Sequence, residues 1–233
     1  MFAEIGTTAQ VSVMRPGGEM ARRELHFVWL LDTSGSMRAD GKIQALNVAI
    51  REAMPQLRSA ARDNPGVQVL VRALTFSSGA RWHIAEPTPV DQVRWEDVSA
   101  GGHTDMGQAL ALLAEAMRSP PMPERAVSPV FVLVTDGHHT DDFEAGLAAL
   151  RAQTWGRDAV RMAITIGRDV NLDALQKFIG NDQIRPVQAH NPEALVQQIR
   201  WVSRSGLESS QVGTGPRMPP LPADDAQDAG ELW

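Results

Sequence analysis

The sequence contains no cysteine and no long apolar segment. The lack of cysteine excludes disulfides, thiolate metal sites and cysteine nucleophiles, and is consistent with a reducing compartment. No apolar run approaches the roughly 20 residues that a membrane-spanning helix needs. The N-terminus also lacks the basic region and apolar core of a secretory signal. We therefore expect a cytoplasmic protein that has no membrane segment.

Basic charge is also scarce in this chain. The formal net charge is −6 at pH 7, and the pair Arg22-Arg23 is too short to form a nucleic-acid patch. A broad nucleic-acid surface is therefore not expected. Hydrophobic residues make up 43% of the 233 positions and charged residues 21%, which is typical of a globular protein with a substantial core.

Short apolar runs alternate with amphipathic patterns along most of the sequence. Strands are predicted at residues 25–31, 67–76, 80–84, 130–135, 159–167 and 184–188. Helices are predicted at residues 43–57, 106–117, 141–153, 172–179 and 195–202. This alternation predicts an α/β class, doubly wound and Rossmann-like, with a mostly parallel six-stranded sheet and helices on both faces. The tight link at 77–79 predicts a hairpin, which makes the third strand an antiparallel edge strand.

Local signals refine the predicted boundaries. Pro55 should kink or shorten the first helix, whereas Asn191 should cap the last helix and Pro192 should open its first turn. Residues 1–22 are interpreted as an N-terminal arm, with Met1 and Met20 both possible as the native start. Residues 23–205 are predicted to form the domain. Residues 206–233 are rich in Gly, Pro and Asp, which predicts a mostly disordered tail.

A carboxylate and two hydroxyl groups follow the first predicted strand. Asp32, Ser34 and Ser36 alternate in a short loop, and Gly35 allows the backbone to turn sharply between the serines. This spacing lets all three side chains point the same way. In open α/β sheets, ligands bind at the carboxyl edge of the strands, where this loop is expected. Oxygen donors are the ligands that Mg²⁺ prefers, and Mn²⁺ and Ca²⁺ share that preference.

Two further side chains are expected at the same edge. Thr104 follows two glycines and opens a helix, and Asp136 directly follows the strand predicted at 130–135. We predict that Mg²⁺ is held by Asp32, Ser34, Ser36, Thr104 and Asp136. Two carboxylates balance the charge of the ion and hydroxyls add none, so the ion keeps an open position. A carboxylate of a partner protein can fill that position, which favours binding over catalysis.

These motifs resemble the metal-ion-dependent adhesion site (MIDAS) of von Willebrand factor A domains. The stretch Asp-Thr-Ser-Gly-Ser at 32–36, then Thr104, then Asp136-Gly137 occur in the expected order within roughly residues 24–205. Within that superfamily, the stretches 27–37, 101–110, 132–143 and 199–205 resemble bacterial TerY-like proteins of the tellurium-resistance group. The resemblance implies a Mg²⁺-dependent interaction role in a stress response. It also implies a protein kinase and a metal-dependent Ser/Thr phosphatase as partners encoded nearby.

A second hypothesis is a metal-dependent hydrolase or phosphatase that uses the same ion, with His138 or His139 as a base. A separate set of candidate ligands is also considered as a transition-metal or hydrolase site, because His and carboxylate suit Zn²⁺ or Mn²⁺. These candidate ligands are His103, His138, His139, Asp141 and Asp142. The simpler interpretation places Asp141 and Asp142, like Asp105, in the first turn of a helix, where the helix dipole favours anions. No glycine-rich nucleotide motif and no recognisable Ser/His/Asp set occur. We therefore predict that the protein is not an enzyme.

Overall fold

A computed structural model describes residues 22–118, 120–123, 126–167 and 171–211. The chain begins with β1 (Arg23–Asp32) and a 3₁₀ segment (Gly35–Gly41). The elements that follow are α1 (Lys42–Arg62), β2 (Val67–Ser77), β3 (Gly79–Pro89), α2 (Met106–Ala116), β4 (Val130–Thr135), α3 (Phe143–Ala152), α4 (Thr154–Arg157), β5 (Val160–Ile166), α5 (Leu172–Ile179), β6 (Val187–Ala189) and α6 (Pro192–Gln211).

The strands form one six-stranded sheet in the order β3-β2-β1-β4-β5-β6. All neighbouring pairs are parallel except the β2–β3 hairpin, which places the antiparallel strand at the edge. The predicted fold class is therefore confirmed. The chain leaves β1 toward β2 on one side and later continues from β4 on the other, so the strand order reverses between β1 and β4. Such a switch point opens a crevice at the carboxyl ends of both strands.

Alternation along β1 divides the core into two layers. Phe27, Trp29 and Leu31 belong to the apolar cluster that also contains the buried faces of α1 and α6. Val28 and Leu30 point to the opposite face, into the cluster formed with α2, α3 and α5. All five side chains are fully buried. Because both faces of β1 are covered, its carboxyl end is held rigidly beneath the predicted metal loop.

Two predicted element lengths are corrected by the structure. Pro55 does not shorten the first helix, because α1 continues through it to Arg62. The third strand is not confined to residues 80–84 but extends over Gly79–Pro89, and so includes Pro87 and Pro89. Proline is tolerated there because an edge strand needs only one of its two sides for ladder hydrogen bonds. The β2–β3 register shifts between Val71 and Ala73 and again between Ala73 and Leu74, so β3 contains extra residues at these points.

Other boundaries differ by a few residues. The last strand is Val187–Ala189 and not 184–188, and the region predicted as one helix at 141–153 is α3 followed by the separate short α4. Asn191 caps α6 as predicted, since its side-chain oxygen accepts from the Ala194 N–H at 2.8 Å. α6 continues to Gln211, past the predicted domain end at residue 205. The arm at residues 1–21 and the rest of the tail, from residue 212, lie outside the described residues.

Arg161 links β5, on which it lies, to α4 and α5. Its guanidinium is buried and donates to the carbonyl oxygens of Ile179 at 3.2 Å, Gly156 at 2.6 Å and Arg157 at 3.3 Å. Burial, with a smaller contribution from the charge of Arg151, lowers the pKa of Arg161 to about 10, so it stays protonated at neutral pH.

Replacing Arg161 with methionine is expected to destabilise the fold by about 2–4 kcal/mol, because buried carbonyl groups lose their donor. Urea unfolding monitored by tryptophan fluorescence measures this loss. Arg157→Met is the control, because the Arg157 side chain is exposed and forms an ion pair with the exposed Asp158. A loss of less than about 0.5 kcal/mol in Arg161→Met, the usual range for surface changes, would contradict this role.

Candidate metal site

Asp32 ends β1 and has no solvent-exposed surface. Its Oδ1 accepts the Ser34 N–H at 2.8 Å, and its Oδ2 accepts the hydroxyl of Thr135 at 2.5 Å. Thr135 is the last residue of β4, so the two strands on either side of the switch point are joined at their ends. These hydrogen bonds fix the Asp32 carboxylate at the floor of the crevice.

The hydroxyl groups of the same loop connect Asp32 to the second predicted carboxylate. The Ser34 and Ser36 hydroxyl oxygens are 3.0 Å apart, and the Ser36 hydroxyl donates to Asp136 Oδ1 at 2.7 Å. Asp136 itself is nearly buried, as is Ser34, whereas Ser36 is exposed at the rim. Four of the five predicted side chains therefore lie together in one hydrogen-bonded network.

The loop that carries Thr104 packs directly against this network. The Gly35 N–H donates to the Gly102 carbonyl at 3.0 Å, and the Gly101 N–H donates to the Thr33 carbonyl at 2.8 Å. Gly102 has a φ of +88°, and a Cβ there would lie 2.6 Å from the Ser78 hydroxyl oxygen, so glycine is required for this close approach.

Thr104 is held between the other two loops. Its N–H donates to the Thr140 hydroxyl at 3.0 Å, and its carbonyl accepts the Thr140 N–H at 2.9 Å. Its side chain is nearly buried. Among the described residues, no hydrogen bond joins the Thr104 hydroxyl to the other four predicted ligands. The structure thus places the backbone of Thr104 at the site without including its hydroxyl in the network.

Lys42 is a member of the site that the sequence interpretation missed. Its Nζ donates to Asp136 Oδ2 at 2.9 Å, and only 14% of its side chain is exposed. Lys42 is the first residue of α1, which begins directly after the loop of Ser34 and Ser36. Thr135 was missed in the same way. The signal available for it was its position beside Asp136 at the end of a buried strand.

The two carboxylates of the site differ in their electrostatic surroundings. Burial raises the pKa of Asp32 to about 6 and outweighs the hydrogen bonds from Thr135 and Ser34, which act in the opposite direction. The nearby charge of Asp136 adds to the rise. Within the described part of the chain, Asp136 has the Lys42 ammonium as a counter-charge, whereas the hydrogen bonds to Asp32 come from neutral donors. A buried carboxylate without a cation, beside hydroxyl oxygens, is a donor set that fits a hard divalent ion.

The histidine-based transition-metal site finds no support in the part of the chain that the structure describes. No group of three or more His, Asp or Glu side chains there is placed to hold a metal. Asp141 accepts the N–H groups of Gly107 and Gln108 at 2.8 Å each, and Asp142 accepts the Ala145 N–H at 3.0 Å. Both carboxylates are therefore used as helix caps, Asp142 on its own helix and Asp141 across the interface on α2.

Asp105 also differs from the first-turn acid that was predicted. It precedes α2, and its carboxylate accepts the Gly79 N–H at 2.7 Å and the Thr140 hydroxyl at 3.1 Å. It therefore ties the β2–β3 hairpin to the loop after Asp136. The ring of His139 lies 5.0 Å from that of Phe143, centroid to centroid, in a tilted packing contact.

The fold and the site together define a doubly wound α/β domain with oxygen-bearing side chains gathered at its switch point. The family model of the von Willebrand factor type A domain matches residues 27–200, and the chain belongs to this family. The comparison with curated proteins gave no match. No helix in the described ranges is long and apolar enough to cross a membrane.

Solved structures of this fold are similar at low sequence identity. The von Willebrand factor type A protein from Catenulispora acidiphila has a TM-score of 0.61 and 18% identity over 79% of this chain and 43% of that one. Proximal thread matrix protein 1 from the mussel byssus, with a zinc-occupied MIDAS motif, has a TM-score of 0.56 and 15% identity over 81% and 46%. The ArnB paralog VWA2 from Sulfolobus acidocaldarius has a TM-score of 0.53 and 17% identity over 81% and 45%. The matched region thus spans less than half of each of these three structures.

Proposed function

We propose that this domain is a metal-dependent protein-interaction module and not an enzyme. Its ligands for a divalent ion are Asp32, Ser34, Ser36, Thr104 and Asp136. The observation that carries this proposal is the hydrogen-bonded network of Asp32, Ser34, Ser36 and Asp136 at the switch point of the sheet. Asp32 in particular is a fully buried carboxylate, and its hydrogen bonds within the described residues come from the neutral donors of Ser34 and Thr135.

The donor set explains why a partner would be recognised through a carboxylate. Only two of the five proposed ligands are anionic, so the bound ion would offer an electrophilic open position to an acidic side chain. Ser36 is exposed, which leaves that position accessible from outside. The protein's own residues orient the site: Thr135 and the Ser34 backbone hold Asp32, and Thr140 holds the backbone of Thr104.

We propose Mg²⁺ as the resident ion, with Mn²⁺ or Ca²⁺ as substitutes. An all-oxygen set suits these hard cations. The mussel byssus protein, whose MIDAS motif holds zinc, supports a divalent ion at this type of site. Isothermal titration calorimetry with the chlorides of Mg²⁺, Mn²⁺, Ca²⁺ and Zn²⁺ would rank the ions. Preferential binding of Zn²⁺ would overturn the assignment of Mg²⁺ while leaving the site itself intact.

Asp136→Ala is expected to abolish both metal binding and capture of a partner while the domain stays folded. The substitution removes one of two anionic ligands, and Asp136 follows β4 at the edge of the sheet, outside the two apolar core clusters. Metal affinity is measured by calorimetry. Partner capture is measured by affinity purification from the source cells with Mg²⁺ or with EDTA. Undiminished partner recovery with the metal-free variant would contradict a metal-dependent interface.

A cytoplasmic stress-response setting is the finer part of the proposal. The resemblance of residues 27–37 and 132–143 to TerY-like proteins supports a tellurium-resistance-like system, with a protein kinase and a Ser/Thr phosphatase as partners. Mass spectrometry of the Mg²⁺-dependent fraction tests this setting. Recovery of a kinase or phosphatase that is lost with EDTA is expected. Recovery of unrelated partners that are equally lost with EDTA would overturn the setting but keep the metal-dependent interface.

A further inference from the structure

The position of Lys42 is not explained by the helix that carries it. Lys42 is the first residue of α1, and it follows Asp40 and Gly41, whose φ values of +53° and +73° turn the chain into the helix. The start of a helix is an unfavourable place for a cation, because the helix dipole is positive there. The first turn of α1 contains no acidic residue that would offset this repulsion.

The contact that does account for Lys42 is with Asp136. The Lys42 ammonium lies 2.9 Å from Asp136 Oδ2, while the Ser36 hydroxyl occupies Oδ1 at 2.7 Å. The Asp136 carboxylate has no exposed surface, so this ion pair is largely shielded from water. The segment that carries the serines and the start of α1 therefore engages both oxygens of the one carboxylate.

We infer that Lys42 is a built-in competitor of the divalent ion and sets the affinity of the metal site. This inference rests on the proposed function, since it requires that Asp136 be a metal ligand. An ammonium and a divalent cation at the same buried carboxylate repel each other strongly, because the interior screens charges weakly. Metal loading therefore has to weaken or displace the Lys42–Asp136 pair. In the metal-free protein, the same pair keeps Asp136 neutralised and the loops in place.

The direct test is Lys42→Met, which keeps the aliphatic stem and removes the charge. Calorimetric titration with MgCl₂ is expected to show metal binding about tenfold tighter than in the native protein. The chain has only two lysines, and Lys177→Met is the matched control. Lys177 also forms a salt bridge, with Glu144, but both side chains are more than half exposed and lie on α5 and α3. The Mg²⁺ affinity of Lys177→Met is expected to equal that of the native protein.

Thermal unfolding supplies a second readout. In EDTA, Lys42→Met is expected to melt at a lower temperature than the native protein, because Asp136 is left buried without its counter-ion. In saturating Mg²⁺, the melting temperature of Lys42→Met is expected to rise by more than that of the native protein. Lys42→Arg keeps the positive charge and is expected to retain weak metal binding.

Each outcome of these measurements decides between the alternatives. Equal or weaker Mg²⁺ binding by Lys42→Met, with normal binding by the native protein, would overturn the role of Lys42 and leave the proposed function standing. Absence of Mg²⁺ binding in both proteins would overturn both. Should Lys42→Met fail to fold, NMR of ¹³C-methylated lysines in the native protein replaces it. Mg²⁺ is then expected to shift the signal of Lys42 and not that of Lys177, and an unmoved Lys42 signal would overturn the inference.

Discussion

Replacing Asp32 with asparagine is expected to stabilise the metal-free protein at pH 8 and to abolish its stabilisation by Mg²⁺. Asp32 is fully buried, and burial raises its pKa to about 6 despite hydrogen bonds from Thr135 and Ser34. At pH 8 the metal-free fold therefore contains an ionised carboxylate in surroundings that favour the neutral form. Asparagine has the same shape without the charge, and its side-chain oxygen can still accept the Ser34 N–H.

The size and pH range of this effect follow from the pKa of Asp32. In the unfolded chain its pKa is close to 3.8, so the folded state holds the proton more tightly. Its contribution to stability is thus most favourable below pH 3.8 and is lost as the pH rises to about 6. Above that pH, ionised Asp32 costs about 3 kcal/mol relative to the neutral form. Asp32→Asn is expected to recover about 1–3 kcal/mol of this cost.

Urea unfolding in EDTA at a series of pH values measures the difference between Asp32→Asn and the native protein. The variant should be more stable at pH 8, and its advantage should shrink as the pH falls toward 4. On addition of Mg²⁺ at pH 8 the order should reverse, since only the native protein gains stability from binding. An advantage for the native protein in EDTA at pH 8 would show that Asp32 is not an uncompensated buried charge.

Replacing Gly146 with alanine is expected to destabilise the protein by about 3 kcal/mol or more. Gly146 lies where α3 crosses α2, and a Cβ there would be 2.2 Å from the carbonyl oxygen of Gly107. The obstacle is backbone, so it cannot move aside as a side chain would. Gly107, on the facing helix, is restricted in the same way, because an added Cβ there would be 2.3 Å from the Asp142 carbonyl oxygen. Overpacking that forces two helices apart falls among the largest effects of single substitutions.

The same helix pair positions two of the loops at the site. Thr104 precedes α2, and the loop after Asp136 leads into α3, where Asp141 caps the first turn of α2. Separation of the helices should therefore weaken Mg²⁺ binding as well as the fold. Urea unfolding and calorimetry measure the two effects, with Gly66→Ala as the control, because a Cβ at Gly66 meets nothing within 4 Å. Equal stability of both variants would show that the close helix crossing is not required.

The features that depend on local spacing were predictable from the sequence. The apolar runs, the hairpin at Gly79 and the cap at Asn191 each arise from neighbouring residues, and the fold class follows from their order. The placement of Asp32 and Asp136 was predictable for a related reason. Both follow a strand, and the carboxyl ends of parallel strands share one edge of the sheet.

The features that depend on distant packing were not predictable. The sequence around Lys42 does not distinguish it from an ordinary helix residue. Its contact with Asp136 arises only because α1 packs against the loop of Asp136. Asp141 appeared to belong to its own helix, yet its carboxylate caps α2 because Gly107 and Gly146 let the two helices approach closely. The third strand was predicted to end at residue 84, but at the edge of the sheet it continues to Pro89.

The anomalous difference density of a crystal grown with Mn²⁺ locates the bound metal directly. We expect one strong peak at the carboxyl edge of β1 and β4, within coordinating distance of oxygens from Asp32, Ser34, Ser36, Thr104 and Asp136. Asp32→Asn crystals grown in the same way should lack it. A manganese peak elsewhere on the domain, with none between these five side chains, would show that they do not form the metal site.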